Sequence, residues 1–232
     1  MISTDIRNKI LSGVYPVNSR LPFERELCEM YQASKMTVKR ALDILVADGL
    51  IIKRRGSGTY IKDLSQDALN RISIGKQFLG TTANYAGQKV ISKILHFEVI
   101  TPPKEVADKL NISEDSFVYD IARIRYVNNH ALAVEQMYMP LDLIVGLKRK
   151  HLQNSIYRYI EENLNLKIQS AHRHITVRKT TSQEAEYLEL MVDDPVAVVN
   201  QVAFLDTGSA FEYSTTLHRY DQFSVEMILT RN

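Results

Sequence analysis

Apolar residues recur at helical spacing in three stretches of the first fifty positions, and mostly at strand spacing after residue 90. Ile6, Ile10 and Leu11 mark a first helix over 2–12, which Gly13 ends. A second amphipathic stretch, 23–31, begins after Leu21-Pro22, and the polar turn Gln32-Ala33-Ser34 leads into a third. There Val38, Ala41, Leu42 and Leu45 share one face, a period that predicts an amphipathic helix. Ser34 can accept an orphan N–H of the first turn, and Gly49 tolerates the left-handed geometry that ends a helix. Lys35, Met36, Lys39 and Arg40 fall on the opposite side, giving an apolar back and a basic front. Residues 50–62 then read as a β-hairpin with the tip Arg55-Gly56-Ser57-Gly58 and basic flanks. Two short helices joined by a tight turn form a helix-turn-helix, whose second helix enters the DNA major groove, and the hairpin supplies a wing.

The pattern breaks after Ile61, and 63–74 has the mixed polarity of a linker. Beyond it, strands are predicted over 90–100, 117–127, 131–139, 168–180, 196–205, 210–220 and 223–229. Helices are predicted over 104–110, 151–163 and 182–190, the last N-capped by Ser182. Long antiparallel strands with intervening helices make an α+β domain. The 232 residues therefore divide into a winged helix-turn-helix at 1–62, a linker at 63–74 and an α+β domain at 75–232.

Charge follows the same division. Residues 1–62 carry 11 Lys+Arg against 6 Asp+Glu, a net of +5, which leaves −3 on the rest of a chain whose total is +2. Basic charge gathers where phosphate would be met. No run approaches the roughly 18 apolar residues of a membrane span, no secretory signal pattern opens the chain, and the single Cys28 excludes an internal disulfide framework. A cytoplasmic protein with no membrane partner is expected.

Arg123 and Arg125 stand two apart on a predicted strand and so share a sheet face. A hairpin loop at Asn128-Asn129-His130 pairs 127 with 131 and makes Arg123 and Glu135 cross-strand neighbours. Such a pair is either a surface ion pair worth little or the floor of an anion pocket. His172 and His174 also share a face, but no third ligand has convincing spacing, so no metal and no cofactor is expected. Glu135 and Glu212 could in principle be paired carboxylates, and nothing in the sequence marks either as catalytic rather than ligand-orienting.

The runs Leu21-Pro22-Phe23-Glu24-Arg25-Glu26-Leu27, Ser34-Lys35-Met36-Thr37-Val38-Lys39-Arg40-Ala41-Leu42 and Arg54-Arg55-Gly56-Ser57-Gly58-Thr59-Tyr60 resemble the DNA-binding domain of GntR-family bacterial transcription regulators. The resemblance implies contacts to operator DNA from Arg25, Ser34, Lys35, Thr37 and Lys39, with Gly56 at the minor groove and Arg40 and Arg55 on the same basic surface. Phe23 departs from the small polar helix cap common in that family. Lys35 and Lys39 stand where arginine is frequent, keeping the charge without the bidentate fork.

Arg123-Ile124-Arg125, Glu135 with Tyr138-Met139-Pro140, Ser155-Ile156-Tyr157 and Glu212-Tyr213-Ser214 resemble the UTRA effector-binding domain of the HutC subfamily. That domain shares its fold with chorismate lyase but acts as a sensor. The resemblance implies an anionic effector, often a sugar phosphate, held by Arg123, Arg125 and Ser155. Thr81 and Thr82 would lie in a closing loop, Glu135 and Glu212 would accept from ligand hydroxyls or amines, and His218 stands where many phosphosugar binders have tyrosine. The expected protein is a homodimeric repressor on double-stranded operator DNA. The alternatives are a regulator of a non-phosphorylated metabolite and a chorismate-lyase-like enzyme with a DNA-binding head.

Overall fold

The computed structural model describes residues 2–65, 82, 85 and 87–225. They fall in two compact units, one assigned Met1–Gln77 with Val225–Asn232 and one assigned Phe78–Ser224.

The first unit opens with α1 (Ile2–Leu11), α2 (Glu24–Tyr31) and α3 (Lys35–Ala47), followed by β1 (Ile51–Arg54) and β2 (Gly58–Ile61). Ile6, Ile10, Leu27, Val38, Leu42 and Leu45 pack with Leu21, Leu50, Ile51 and Ile61 into one core. Removing that apolar area from water is what holds three short helices that would be marginal alone. Ser34 caps α3, its Oγ accepting from the Thr37 N–H at 3.2 Å. Phe23 cannot cap α2 with its side chain. The Glu26 carboxylate instead accepts from the Phe23 N–H at 2.6 Å, one half of a capping box.

The second unit is a six-stranded antiparallel sheet in the order β3-β4-β5-β8-β7-β6. The strands are β3 (Val90–Ile100), β4 (Val118–Val127), β5 (His130–Pro140), β6 (Ile168–Lys179), β7 (Pro195–Leu205) and β8 (Ala210–Arg219). The helices are α4 (Lys104–Leu110), α5 (Arg149–Leu152), α6 (Ile156–Arg158) and α7 (Ser182–Leu188), and a π-helical turn (Tyr159–Asn163) continues α6. Ile121, Met137, Met139, Ala203 and Phe211 pack under Ile144, Leu147, Leu152, Ile156 and Ile160. The α5–α6 segment therefore covers part of one sheet face.

Four expectations change. The predicted helix 151–163 is broken at Gln153-Asn154-Ser155, although Leu152, Ile156 and Ile160 remain buried. The N-cap of α7 is Thr181, whose hydroxyl accepts from the Glu184 N–H at 3.3 Å while Glu184 accepts from the Thr181 N–H at 2.9 Å. The β4–β5 turn is two residues, Asn128 and Asn129 with φ 51° and 67°, the mirror-image geometry that suits hairpin twist. Val127 thus pairs with His130 rather than residue 131, and a bulge past Arg125 corrects the offset so that Arg123 still faces Glu135. Of the strand predicted over 223–229, residues 223–225 are not extended into the sheet and the rest lie outside the described residues.

Candidate functional site

In the head, the inward-facing residues of α3 leave Lys35, Met36, Thr37, Lys39 and Arg40 exposed together, and Ser34 is exposed at the helix start. Arg25 projects from the first turn of α2 and lies 3.4 Å from Glu29, both well exposed. Such a pair is weak enough to be surrendered to a phosphate. Arg55 and Gly56 form the exposed wing tip, where Gly56 adopts φ 74° and a Cβ would meet nothing within 4 Å. The glycine answers a backbone demand rather than crowding.

In the second unit, Arg123, Arg125, Glu135, Gln201, Glu212 and Ser214 are all buried. The cross-strand register places them on one sheet face: Arg123 faces Glu135, which faces Thr216, and Gln201 faces Ser214. Arg123 is 6% exposed, donating from Nε to Glu135 at 2.6 Å and from Nη1 to the Leu152 carbonyl at 2.7 Å and the Asn154 carbonyl at 3.2 Å. The break between α5 and α6 frees those two carbonyls for the arginine. Arg125 is 1% exposed and donates to Ser92 and Thr82 hydroxyls, each at 2.6 Å. Its Nε lies 3.9 Å from Glu135 and has no hydrogen-bond acceptor among the described residues. Burial pulls its pKa down to about 10, opposed by Glu135 and reinforced by Arg123. The surface-ion-pair reading of Arg123 and Glu135 is therefore excluded by burial.

A second polar cluster lies along the same face. Glu212 Oε1 accepts from Gln201 at 2.9 Å and Ser214 at 2.8 Å, the buried Tyr157 hydroxyl also acts on the carboxylate, and Oε2 makes no hydrogen bond of normal geometry among the described residues. Burial raises the Glu212 pKa, against the lowering effect of its hydrogen bonds. Gln201 is oriented by Arg173, whose Nε donates to the amide oxygen at 2.6 Å, and it also donates to the Tyr157 hydroxyl at 3.1 Å. The tyrosine hydroxyl titrates well above its usual range because it is buried. Gln201 and Arg173 were not singled out from sequence. The available signal was a polar residue at an inward position between Val199 and Ala203.

His218 stacks on Phe223 at 4.8 Å, and burial holds its pKa down at about 4. The imidazole is neutral at pH 7 and sits in the row of Ala133 and Ala197. Ser155 caps α6, accepting from the Arg158 N–H at 3.2 Å. Thr82 joins the arginine cluster, whereas Thr81 lies outside the described residues. His172 and His174 point to the other face, and no group of metal-binding side chains occurs among the described residues. No helix among those residues is long and apolar enough to cross a membrane.

A winged head ahead of a sheet that buries charged and polar side chains on one face defines a ligand-responsive transcription regulator. The model of bacterial regulatory proteins of the gntR family matches residues 1–61, and that of the UTRA domain matches residues 86–224. The chain belongs to the GntR family, with a UTRA effector-binding domain. It is 39% identical to the HTH-type transcriptional regulator GmuR of Bacillus subtilis (strain 168), over 100% of this chain and 98% of that protein. The transcriptional repressor NagR of the same organism is 28% identical, over 96% and 90%. The crystal structure of the possible transcriptional regulator YydK from Bacillus subtilis superposes with a TM-score of 0.77 at 28% identity, covering 100% of this chain and 99% of that one. These relatives are regulators, and the chain is a DNA-binding regulator rather than an enzyme.

Proposed function

We propose that the protein is a cytoplasmic homodimeric repressor whose hold on a pseudo-palindromic operator is set by a small anionic effector, a sugar phosphate, bound on the polar sheet face. The observation that carries this reading is Arg125: a buried guanidinium with an unfilled Nε donor beside a second buried arginine. Guanidinium forks match phosphate oxygens in geometry and charge. Glu212, with Oε2 unfilled, supports a second contact, to a ligand hydroxyl or N–H. Arg123, Arg125 and Ser155 would take the anion, Glu135, Glu212 and His218 the sugar, and Thr81 and Thr82 the closing loop.

On the DNA side, Lys35, Lys39 and Arg25 would contact bases and phosphates, Ser34 and Thr37 would position α3, Arg40 and Arg55 would add phosphate contacts, and Gly56 would approach the minor groove. Residues 1–62, 63–74 and 75–232 would act as head, linker and sensor. Two heads are needed because one short helix reads too few bases for genomic selectivity.

The test is a thermal-shift screen with sugar phosphates against the matching free sugars. A ligand at a hundred times its dissociation constant stabilises the folded state by about 2.7 kcal/mol. A hit that needs the phosphate and disappears in Arg125→Gln supports the reading. Equal shifts from the free sugar would remove the phosphate from it, and a monomer by sedimentation in the presence of operator would remove the dimer.

A further inference from the structure

Tyr60 pairs with Ile52 across the hairpin and with Arg20 on its other side, so Arg20 acts as a short third strand beside β2. The Leu21 N–H donates to the Thr59 carbonyl at 2.9 Å, and the Ile61 N–H donates to the Ser19 carbonyl at 2.9 Å. Strand alternation then sorts this small sheet into two faces. Leu21, Ile51, Thr59 and Ile61 are buried, so theirs is the core face. Arg20, Arg54, Gly58 and Tyr60 share the outward one.

Each arginine on that face lies over an aromatic ring. The Arg20 guanidinium is 4.3 Å from the Phe23 ring centroid, and that of Arg54 is 4.9 Å from the Tyr60 centroid. Gly58 makes the first stack possible: a Cβ there would come within 3.2 Å of Arg20 Cδ and 3.7 Å of the Phe23 ring. The Tyr60 hydroxyl is tied in turn to Ser57 Oγ at 2.8 Å. Neither guanidinium has a carboxylate partner among the described residues, whereas nearby Lys53 is spent on Asp43 at 2.6 Å. An exposed arginine without a partner normally samples many rotamers. Here two are held on rings with their N–H edges left free.

We propose that Arg20 and Arg54 form a clamp for DNA backbone phosphates at the base of the wing, with Phe23 and Tyr60 as their platforms. This gives Phe23 a role that the side chain of a helix cap could not fill. The proposal rests on the head being the DNA-binding surface. It adds contacts that fix register on the duplex without reading sequence.

Phosphate contacts are sequence-independent, so a fluorescently labelled duplex of random sequence is a sufficient probe. Each contact contributes about −0.9 to the slope of log affinity against log salt concentration. Fluorescence anisotropy over a range of KCl should show Arg20→Ala and Arg54→Ala each making the slope shallower by about 0.9 per bound head. Arg20→Lys should restore it, because the charge returns. Phe23→Leu, which keeps both charges and removes the ring, should leave the slope unchanged and weaken binding about 2- to 5-fold, the worth of an exposed cation–π contact. Lys35→Ala serves as the reference for the recognition helix, and a thermal melt of each variant separates lost contact from lost fold. A shallower slope in Lys35→Ala with the native slope in both arginine variants would overturn the clamp while leaving the head intact. A native slope in all three would overturn the DNA-binding surface itself and the clamp with it.

Discussion

Glu135 is the carboxylate that answers two buried arginines, and replacing it by glutamine isolates that charge while keeping shape. It lies 2.6 Å from Arg123 Nε and 3.9 Å from Arg125 Nε, and all three side chains are under 9% exposed. Removing one partner of a buried ion pair leaves the other charge uncompensated, at a cost of about 3–5 kcal/mol. A transition of this size of domain moves by about 2–4 °C per kcal/mol, so Glu135→Gln should lower the melting temperature of the second unit by about 6–20 °C. Inorganic phosphate should recover part of that loss, and recover more in the variant than in the parent, because the anion supplies the missing counter-charge. Calorimetry with and without phosphate reads both effects, and the melting of the head serves as an internal reference. A loss below about 1 kcal/mol, the worth of an exposed pair, would refute the claim that these charges are desolvated. Equal phosphate stabilisation in both proteins would refute the claim that the anion meets the arginines.

His218 gives a pH prediction of fixed sign. Its folded pKa is about 4 against an ordinary value of 6.5, so the unfolded chain binds the proton more readily, and stability falls as pH drops from about 6.5 to about 4. The slope from this group is at most about 1.4 kcal/mol per pH unit, and His218→Asn should flatten that limb in denaturant titrations. Glu212 acts in the opposite direction, since its raised pKa means that protonation relieves a buried charge. Glu212→Gln should therefore leave stability at pH 7 unchanged or higher. Thr181→Ala should cost about 1 kcal/mol as a lost N-cap, whereas Ser182→Ala should cost a few tenths at most. Chemical denaturation of the pair distinguishes the two assignments.

The head was legible because its signals are local: Ser34 three residues before Thr37, the spacing of Val38, Ala41, Leu42 and Leu45, and the glycines of the wing. The arginine pair was legible because strand alternation fixes which side chains share a face. Its register emerged from two offsetting errors, a loop that is shorter than expected and a bulge that restores the count. The break at residues 153–155 was hidden because Leu152, Ile156 and Ile160 keep helical spacing across it. The contact that uses the break is tertiary: the Leu152 and Asn154 carbonyls freed there accept from Arg123. The Tyr157–Gln201–Glu212 cluster drew on a helix and two strands, and no sequence window contains it. Phe23 stood out as a departure, but its purpose depends on Arg20 and Gly58, which the fold brings to it.

The same cluster constrains how an effector can act. Arg123 already donates to Glu135 and two carbonyls and Arg125 to two hydroxyls, so apart from the unfilled Arg125 Nε an incoming anion gains only the difference between its bonds and those it displaces. Inorganic phosphate, which brings charge alone, should bind weakly. A ligand that also donates to Glu212 Oε2 gives that oxygen a hydrogen bond that the described residues do not supply in normal geometry, beside the Tyr157 hydroxyl that already acts on this carboxylate. Leaving that buried acceptor empty costs about 1–3 kcal/mol, which translates into roughly 5- to 150-fold between a sugar phosphate that reaches it and one that does not. On the proposed reading, the anion end would govern whether a ligand enters and the Glu212 end which ligand it is. For the proposed effector that weakens operator binding, coupling is reciprocal: it would itself bind less tightly, by the same factor, when operator is present.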